Sequence, residues 1–336
     1  MKNPSFTANL LATLAVVAVF AGGAGAQSLM PGERAVAVTA IPGVVAAGSR
    51  WQPIWADYAT ADGINGTPDG GVLFAQEQTD TVRKLLVDGT EYTYLENVYG
   101  IGSVSLDANG RLFGAERTCT EPLNPELPGC NVLTRIVQLV PERRLLANSF
   151  ADGRTLGRVN DLIADGRGGA YFTSGGAWHV SADGNVTTVA DQNLRSNGIM
   201  LSADGRTLYV TNVTEVLAFD VARDGSTSGR RVFGTLNGDD GGDGMAIDAE
   251  DRLYVTGNAG VHVLDSRGTY LGLIPTPRRP ITIAFSGPDK RTLYAPQIGA
   301  IGADGGVFQL PEGMRTIGMT IYTMRVLTPG FGGRPK

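Results

Sequence analysis

The chain has 336 residues, with 33 acidic side chains against 28 Lys and Arg and a formal charge of −5. That balance argues against nucleic acid or an anionic lipid surface as a partner, since both reward clustered cations. Glycine is frequent at 47 residues, yet 42% of the chain is apolar, which fits many tight turns between short strands rather than disorder.

In chain order, the first feature is a leader. Lys2 is the only charge in residues 1–26, residues 10–20 are apolar except for Thr13, and Ala24-Gly25-Ala26 places small residues at a cleavage position. This predicts a secretory signal peptide over residues 1–26, cut before Gln27, and an exported protein, periplasmic or secreted. The apolar run is shorter than the roughly 20 residues a membrane helix needs. No later stretch is long enough, so no membrane span is expected after cleavage. Loss of Lys2 leaves 27 cations against 33 acids, a charge of −6. The remaining residues, 27–336, suffice for a single large all-β domain, expected to be a monomer.

Between Gln27 and Tyr58 no repeat is visible. From there a pattern recurs: a turn carrying Asp, Gly or Asn, then a short apolar strand with an aromatic or leucine near its start. It appears as Pro68-Asp69-Gly70-Gly71-Val72-Leu73-Phe74 and Asp107-Ala108-Asn109-Gly110-Arg111-Leu112-Phe113. It returns as Asp165-Gly166-Arg167-Gly168-Gly169-Ala170-Tyr171-Phe172 and Ala203-Asp204-Gly205-Arg206-Thr207-Leu208-Tyr209-Val210. The last copies are Ala249-Glu250-Asp251-Arg252-Leu253-Tyr254-Val255 and Gly287-Pro288-Asp289-Lys290-Arg291-Thr292-Leu293-Tyr294. Each turn joins an upstream apolar segment to a downstream strand, as a hairpin requires. Six strand–turn–strand copies without sustained helical periodicity predict a six-bladed β-propeller, whose blades bury their faces by stacking in a ring. A strand from residues 27–58 is expected to close the ring, with residues 307–326 supplying outer strands of the final blade.

The longest gap between copies holds Cys119 and Cys130, which bracket a proline-rich loop. In an exported chain they are expected to form a disulfide closing that insertion. A metal site there would lack a second pair of soft ligands. The two histidines, His179 and His262, sit singly in strand-like contexts and read as packed residues. Ser105 and Ser202 lack a Gly-x-Ser-x-Gly elbow, which argues against a serine hydrolase.

In a propeller the inner strands line a central channel. The residues at their starts are Asp62-Gly63, Gly102-Ser103, Asn160-Asp161, Asn197-Gly198, Asp243-Gly244 and Thr282-Ile283. Convergent Asp and Asn oxygens without Cys or His suit a hard divalent cation such as Ca²⁺, so the channel is expected to bind metal.

At these residues the sequence resembles the gluconolactonase/regucalcin family of six-bladed propeller lactonases. Arg158-Val159-Asn160-Asp161-Leu162 is similar to its Arg-x-Asn-Asp segment, the run from Ser196-Asn197-Gly198 through Leu208-Tyr209-Val210 to its Asn-Gly strand and following turn, and Gly242-Asp243-Gly244-Met245 to its Asp-Gly-Met segment. Ala284-Phe285-Ser286-Gly287-Pro288-Asp289 is similar to its Phe-Gly-Gly turn. The resemblance implies a divalent metal at one channel mouth, Ca²⁺ first, with Zn²⁺ or Mn²⁺ as alternatives. It implies Asp62, Asn160, Asn197 and Asp243 as the ligand set, Asp243 as general base, and Arg158 and Asn160 as contacts to a small lactone. Asp161 reads as an anchor for a turn or neighbouring strand. Three departures stand out. Asp62 replaces the family's usual glutamate, Gly102-Ser103 an Asn-Gly, and Thr282 an Asn. The expected function is therefore a metal-dependent hydrolase of a sugar lactone or related cyclic ester. The alternatives are a non-catalytic, metal-stabilised binding propeller and phosphotriester hydrolysis with the same metal.

Overall fold

The computed structural model describes residues 29–117, 134–190, 193–239, 241–300 and 318–333. The leader and the Cys119–Cys130 loop lie outside them. Among the described residues, 24 strands form six antiparallel four-stranded sheets, and no helix is present. The sheets are the six expected blades. Their inner strands are Asp62–Gly66, Ile101–Leu106, Leu162–Ala164, Ser196–Leu201, Met245–Ile247 and Ala284–Ser286. Each packs beside the inner strand of the next blade, and the first packs beside the sixth.

The repeated turns are the hairpins between the first two strands of each blade. Their carboxylates explain the motif. Asp107 Oδ1 accepts the backbone N–H groups of Asn109 and Arg111, both at 2.9 Å. Asp165 Oδ1 does the same for Arg167 and Gly169, at 2.6 and 3.0 Å, and Asp248 Oδ1 for Glu250 and Arg252, at 2.9 and 3.0 Å. A short acidic side chain here satisfies the amides that a tight turn leaves without strand partners. These aspartates stand at the opposite end of the inner strands from Asp62 and Asp243.

The ring closes as the sequence pattern implied. Met319–Arg325 is the third strand of the sixth blade, and Gln52–Asp57 pairs with it as the outermost strand. Ahead of that strand, residues 29–51 pack over the fifth and sixth blades. Ile41, Val44, Val45 and Trp51 are buried with Val261, Ile274, Phe285 and Tyr322. Trp51 Nε1 donates to the Pro275 carbonyl at 2.9 Å. Each other apolar cluster likewise joins neighbouring blades, so the core is the set of interfaces between sheets rather than the axis. The axis is left for polar groups.

Candidate functional site at the channel mouth

Asp62 opens the first inner strand, and Asn197 is the second residue of the fourth. Asn160 and Asp243 each stand two residues before the third and fifth inner strands. All four are half-buried, whereas the strand residues after them are buried. The four residues thus occupy matching positions at one mouth of the channel.

Glycine makes the close ring possible. A Cβ on Gly63 would stand 2.3 Å from the Val104 nitrogen, one on Gly198 2.1 Å from the Asp243 carbonyl oxygen, and one on Gly244 2.8 Å from Thr282 Cα. In each Asp-Gly or Asn-Gly pair, the glycine lets the next blade approach. The third blade has Asp161 at that place. Ser103 Oγ donates to Asp161 Oδ1 at 2.8 Å, and the Leu162 N–H donates to the same oxygen at 2.9 Å. Ile199 N–H reaches Asp161 Oδ2 at 3.4 Å. Asp161 therefore ties the second, third and fourth blades together, the anchoring role expected of it.

Threonines on the second strands hold the starts in register. The Asp161 N–H donates to Thr173 Oγ1 at 3.1 Å, and that hydroxyl donates to the Asn197 carbonyl. Gly198 N–H donates to Thr211 Oγ1 at 2.8 Å, and Thr256 Oγ1 donates to the Gly244 and Ile281 carbonyls at 3.0 and 3.1 Å.

The carboxylates feel one another. Burial pushes the Asp243 carboxyl well above the usual carboxylate range, and the negative charges of Asp62 and Asp161 push it further. Arg279 and the Gly244 amide act in the opposite direction. A buried carboxyl whose proton affinity is raised by neighbouring like charges is one that a bound cation would relieve. The available donors are all oxygens: carboxylates from Asp62 and Asp243 and amides from Asn160 and Asn197. This chemistry fits a hard divalent ion. Among the described residues no three His, Cys, Asp or Glu side chains gather closely enough to form a metal cage of those types alone. Asp161, the third carboxylate near the axis, is turned toward Ser103 and Ile199. The Thr282 hydroxyl, on a residue 2% exposed and without a protein partner, stands 2.9 Å from where a Gly244 Cβ would be. A buried orphan hydroxyl is a further oxygen beside this donor set.

Two residues that the sequence reading missed complete the mouth. A Cβ on Gly102 would stand 2.0 Å from Arg117 Nε, so the Arg117 side chain fills the second blade's vacant place. Arg117 is 5% exposed. Its Nε donates to the Val159 carbonyl at 2.7 Å, one terminal nitrogen to the Asn160 carbonyl at 2.6 Å, and the other to Glu77 Oε2 at 2.7 Å. Glu77, 6% exposed, also holds Arg158 at 3.0 Å. Arg158 and Asn160 are therefore positioned by a buried ion pair from the first two blades. The signal lay in Gln76-Glu77 and Glu116-Arg117, polar pairs at corresponding ends of two second strands, opposite a missing side chain at Gly102.

Both histidines are packed, as expected. His262 Nε2 lies 3.1 Å from Asp239 Oδ2 and its Nδ1 3.1 Å from the Tyr270 hydroxyl, while His179 Nε2 lies 2.9 Å from Asp165 Oδ2. A cleft of about 570 Å³ opens elsewhere, between residues 29–51 and Pro277 and Tyr322; none of the expected site residues lines it.

Residues 78–296 match the family described as the SMP-30/gluconolactonase/LRE-like region. The chain belongs to this family. A lactonase, drp35, of Staphylococcus saprophyticus is 35% identical over 138 residues, which are 36% of this chain and 43% of that protein. The drp35 lactonase of Staphylococcus aureus is 33% identical over the same length and shares. The chain thus aligns with less than half the length of these curated relatives. Among solved structures, a gluconolactonase from Xanthomonas campestris superposes with a TM-score of 0.67 at 20% identity, covering 90% of this chain and 98% of that one. Regucalcin of Agrobacterium tumefaciens, described as a calcium-binding protein, superposes at 0.57 with 18% identity, covering 83% and 95%. At these identities the structural likeness establishes the shared six-bladed fold of the SMP-30/gluconolactonase family.

Proposed function

We propose that this protein is a divalent-metal-dependent hydrolase that opens a sugar lactone or related cyclic ester. The observation that carries the reading is the placement of Asp62, Asn160, Asn197 and Asp243, from four blades, half-buried at matching positions of one channel mouth. The lactonase relatives and the family membership support it.

Asp62, Asn197 and Asp243 would hold the metal, with Asn160 beside them. Ca²⁺ is the first choice for an all-oxygen set, with Zn²⁺ or Mn²⁺ as alternatives. When bound, such an ion polarises an ester carbonyl and makes water more acidic. Asp243 takes the proton from the attacking water as its oxygen bonds to the acyl carbon. The acyl–oxygen bond of the ring then breaks, Asp243 returns its proton to the leaving ring oxygen, and the product is the open-chain acid, which gives up its own proton to solvent as a carboxylate. Arg158, fixed by Glu77, contacts the substrate, and Asn160 orients its hydroxyls. Export through the leader over residues 1–26, with a Cys119–Cys130 bridge, belongs to the same proposal. N-terminal sequencing and thiol titration of the protein recovered outside the cytoplasm test it.

The deciding assay is a lactone panel run with Ca²⁺, Zn²⁺ or Mn²⁺, before and after chelation. Activity that chelator abolishes, and that Asp243→Ala lacks while keeping the wild-type far-ultraviolet spectrum, supports the reading. No turnover with any metal refutes it. If chelation lowers the melting temperature while no substrate is opened, a metal-stabilised binding propeller is the better description.

A further inference from the structure

The site's charged groups are unevenly disposed. Arg158 stands two residues before Asn160, Arg195 two before Asn197, and Arg279 three before Thr282. All three arginines are exposed, on the connections that lead into the third, fourth and sixth inner strands, at the mouth that carries the donor set. Arg158 keeps 59% of its side chain exposed while bonded to Glu77, and the charge of Arg279 reaches the Asp243 carboxyl. Arg117 adds a buried guanidinium, and Glu77 pairs with both it and Arg158.

Of these guanidiniums, Arg117 and Arg158 are paired with Glu77. A divalent cation on the donor set would offset the carboxylates of Asp62 and Asp243 and leave the exposed arginines beside it facing a net positive centre. The chain as a whole carries a charge of −5. A neutral sugar ring offers nothing to offset that positive centre. A planar guanidinium matches carboxylate and phosphate oxygens in two-point geometry, and charged groups around a concave opening draw in ligands of opposite sign.

We infer that the preferred ligand of this channel is a ring compound bearing an anionic group, a carboxylate or a phosphate, gripped by an arginine collar formed by Arg158, Arg195 and Arg279. The inference rests on the hydrolase reading for the nature of the ring. The preference for charge rests on the placement of the arginines. The ring's acyl carbon faces Asp243 and its anionic arm points outward to the collar. A charge-assisted contact of this kind strengthens binding about tenfold or more.

The test separates binding from turnover. The Ca²⁺-loaded protein is titrated calorimetrically with three non-hydrolysable δ-lactams of hexose shape: the neutral ring, its 6-carboxylate and its 6-phosphate. At least one charged lactam is expected to bind about tenfold tighter than the neutral one, and the two charged probes identify which anion is preferred. That ratio falls in Arg195→Gln and Arg279→Gln, recovers in Arg195→Lys and Arg279→Lys, and shrinks with added salt. Equal or weaker binding of both charged lactams overturns the inference. So does a ratio unchanged in the Arg195→Gln/Arg279→Gln double variant, or no binding of any of the three. Opening of the matching lactones is scored independently. Turnover without charge preference in lactam binding leaves the hydrolase reading standing alone. Charge-selective binding without any turnover does the reverse.

Discussion

Gly102 and Arg117 form a lock that mutagenesis can open from either side. Alanine in place of Gly102 puts a methyl carbon 2.0 Å from Arg117 Nε and 2.1 Å from Cζ, well inside contact distance. The guanidinium must leave. It gives up the Val159 and Asn160 carbonyls, at 2.7 and 2.6 Å, and the Glu77 ion pair at 2.7 Å, whose side chains are each 6% exposed. Leaving one member of a buried pair uncompensated costs about 3–5 kcal/mol. Arg117→Ala breaks the same contacts, so it is expected to cost a similar amount. The double variant is the informative one. With Arg117 gone, the methyl introduced by Gly102→Ala meets no guanidinium, so the costs do not add and a coupling of about 2–3 kcal/mol appears. Urea unfolding of the wild type, both singles and the double measures this directly. The singles should also raise KM more than they lower kcat, because Arg117 and Glu77 position Arg158 and Asn160 without touching the reacting atoms. Gly102→Ala within about 0.5 kcal/mol of wild type, or additive costs in the double variant, would refute the reasoning.

Further outcomes follow from other parts of the structure. Asp243→Asn should lower kcat by about 10²–10⁴-fold while the far-ultraviolet spectrum stays that of the wild type, the loss expected of a general base. Adding Ca²⁺ at 100 times its dissociation constant should stabilise the chelated protein by about 2.7 kcal/mol in denaturant titrations; an unchanged midpoint would remove the case for a bound cation. Gly198→Ala should impair both stability and activity, since its methyl carbon would fall 2.1 Å from the Asp243 carbonyl oxygen. Asp239 gives an acid signature. Burial acts to raise its carboxyl, but bonds from the Ala259 amide, His262 and the Asn258 amide outweigh it and hold the group at about 2. A depressed native value means that its contribution is present above the unfolded value near 4 and is lost as pH falls toward 2. Melting temperatures of Asp239→Asn should therefore vary less than those of the wild type across that window.

Much of this architecture was legible in the chain because repetition amplifies weak signals. Asp107, Asp165 and Asp248 each bond two backbone amides of their turn, so the same local need writes the same residues into successive blades. The Asp-Gly and Asn-Gly starts were legible for a related reason: each opens an inner strand at the same mouth, and only glycine there lets the next blade approach. Arg117 was hidden because its meaning depends on a void one strand away, at Gly102. Glu77 was hidden because its partners lie 40 and 81 residues further along. Burial and pairing across blades cannot be read from one copy of a repeat. The strap formed by residues 29–51 was illegible in another way. It has no strand periodicity, and Ile41, Val44, Val45 and Trp51 acquire their role only when the fifth and sixth blades supply a surface.

The pairing of Gln52–Asp57 with Met319–Arg325 sets an order of events. Thr323 Oγ1 donates to the Gln52 carbonyl across 271 positions of sequence. A ribosome delivers the first of these strands long before the other, with five blades made in between. Until then the early strand has no lawful partner, and five finished blades are an open arc with two bare edges. Contacts that must wait for so long a loop form slowly and contribute only once closure is reached. The nascent chain is therefore committed late, and a product cut short of Met319–Arg325 would expose both edges to whatever strand it meets first.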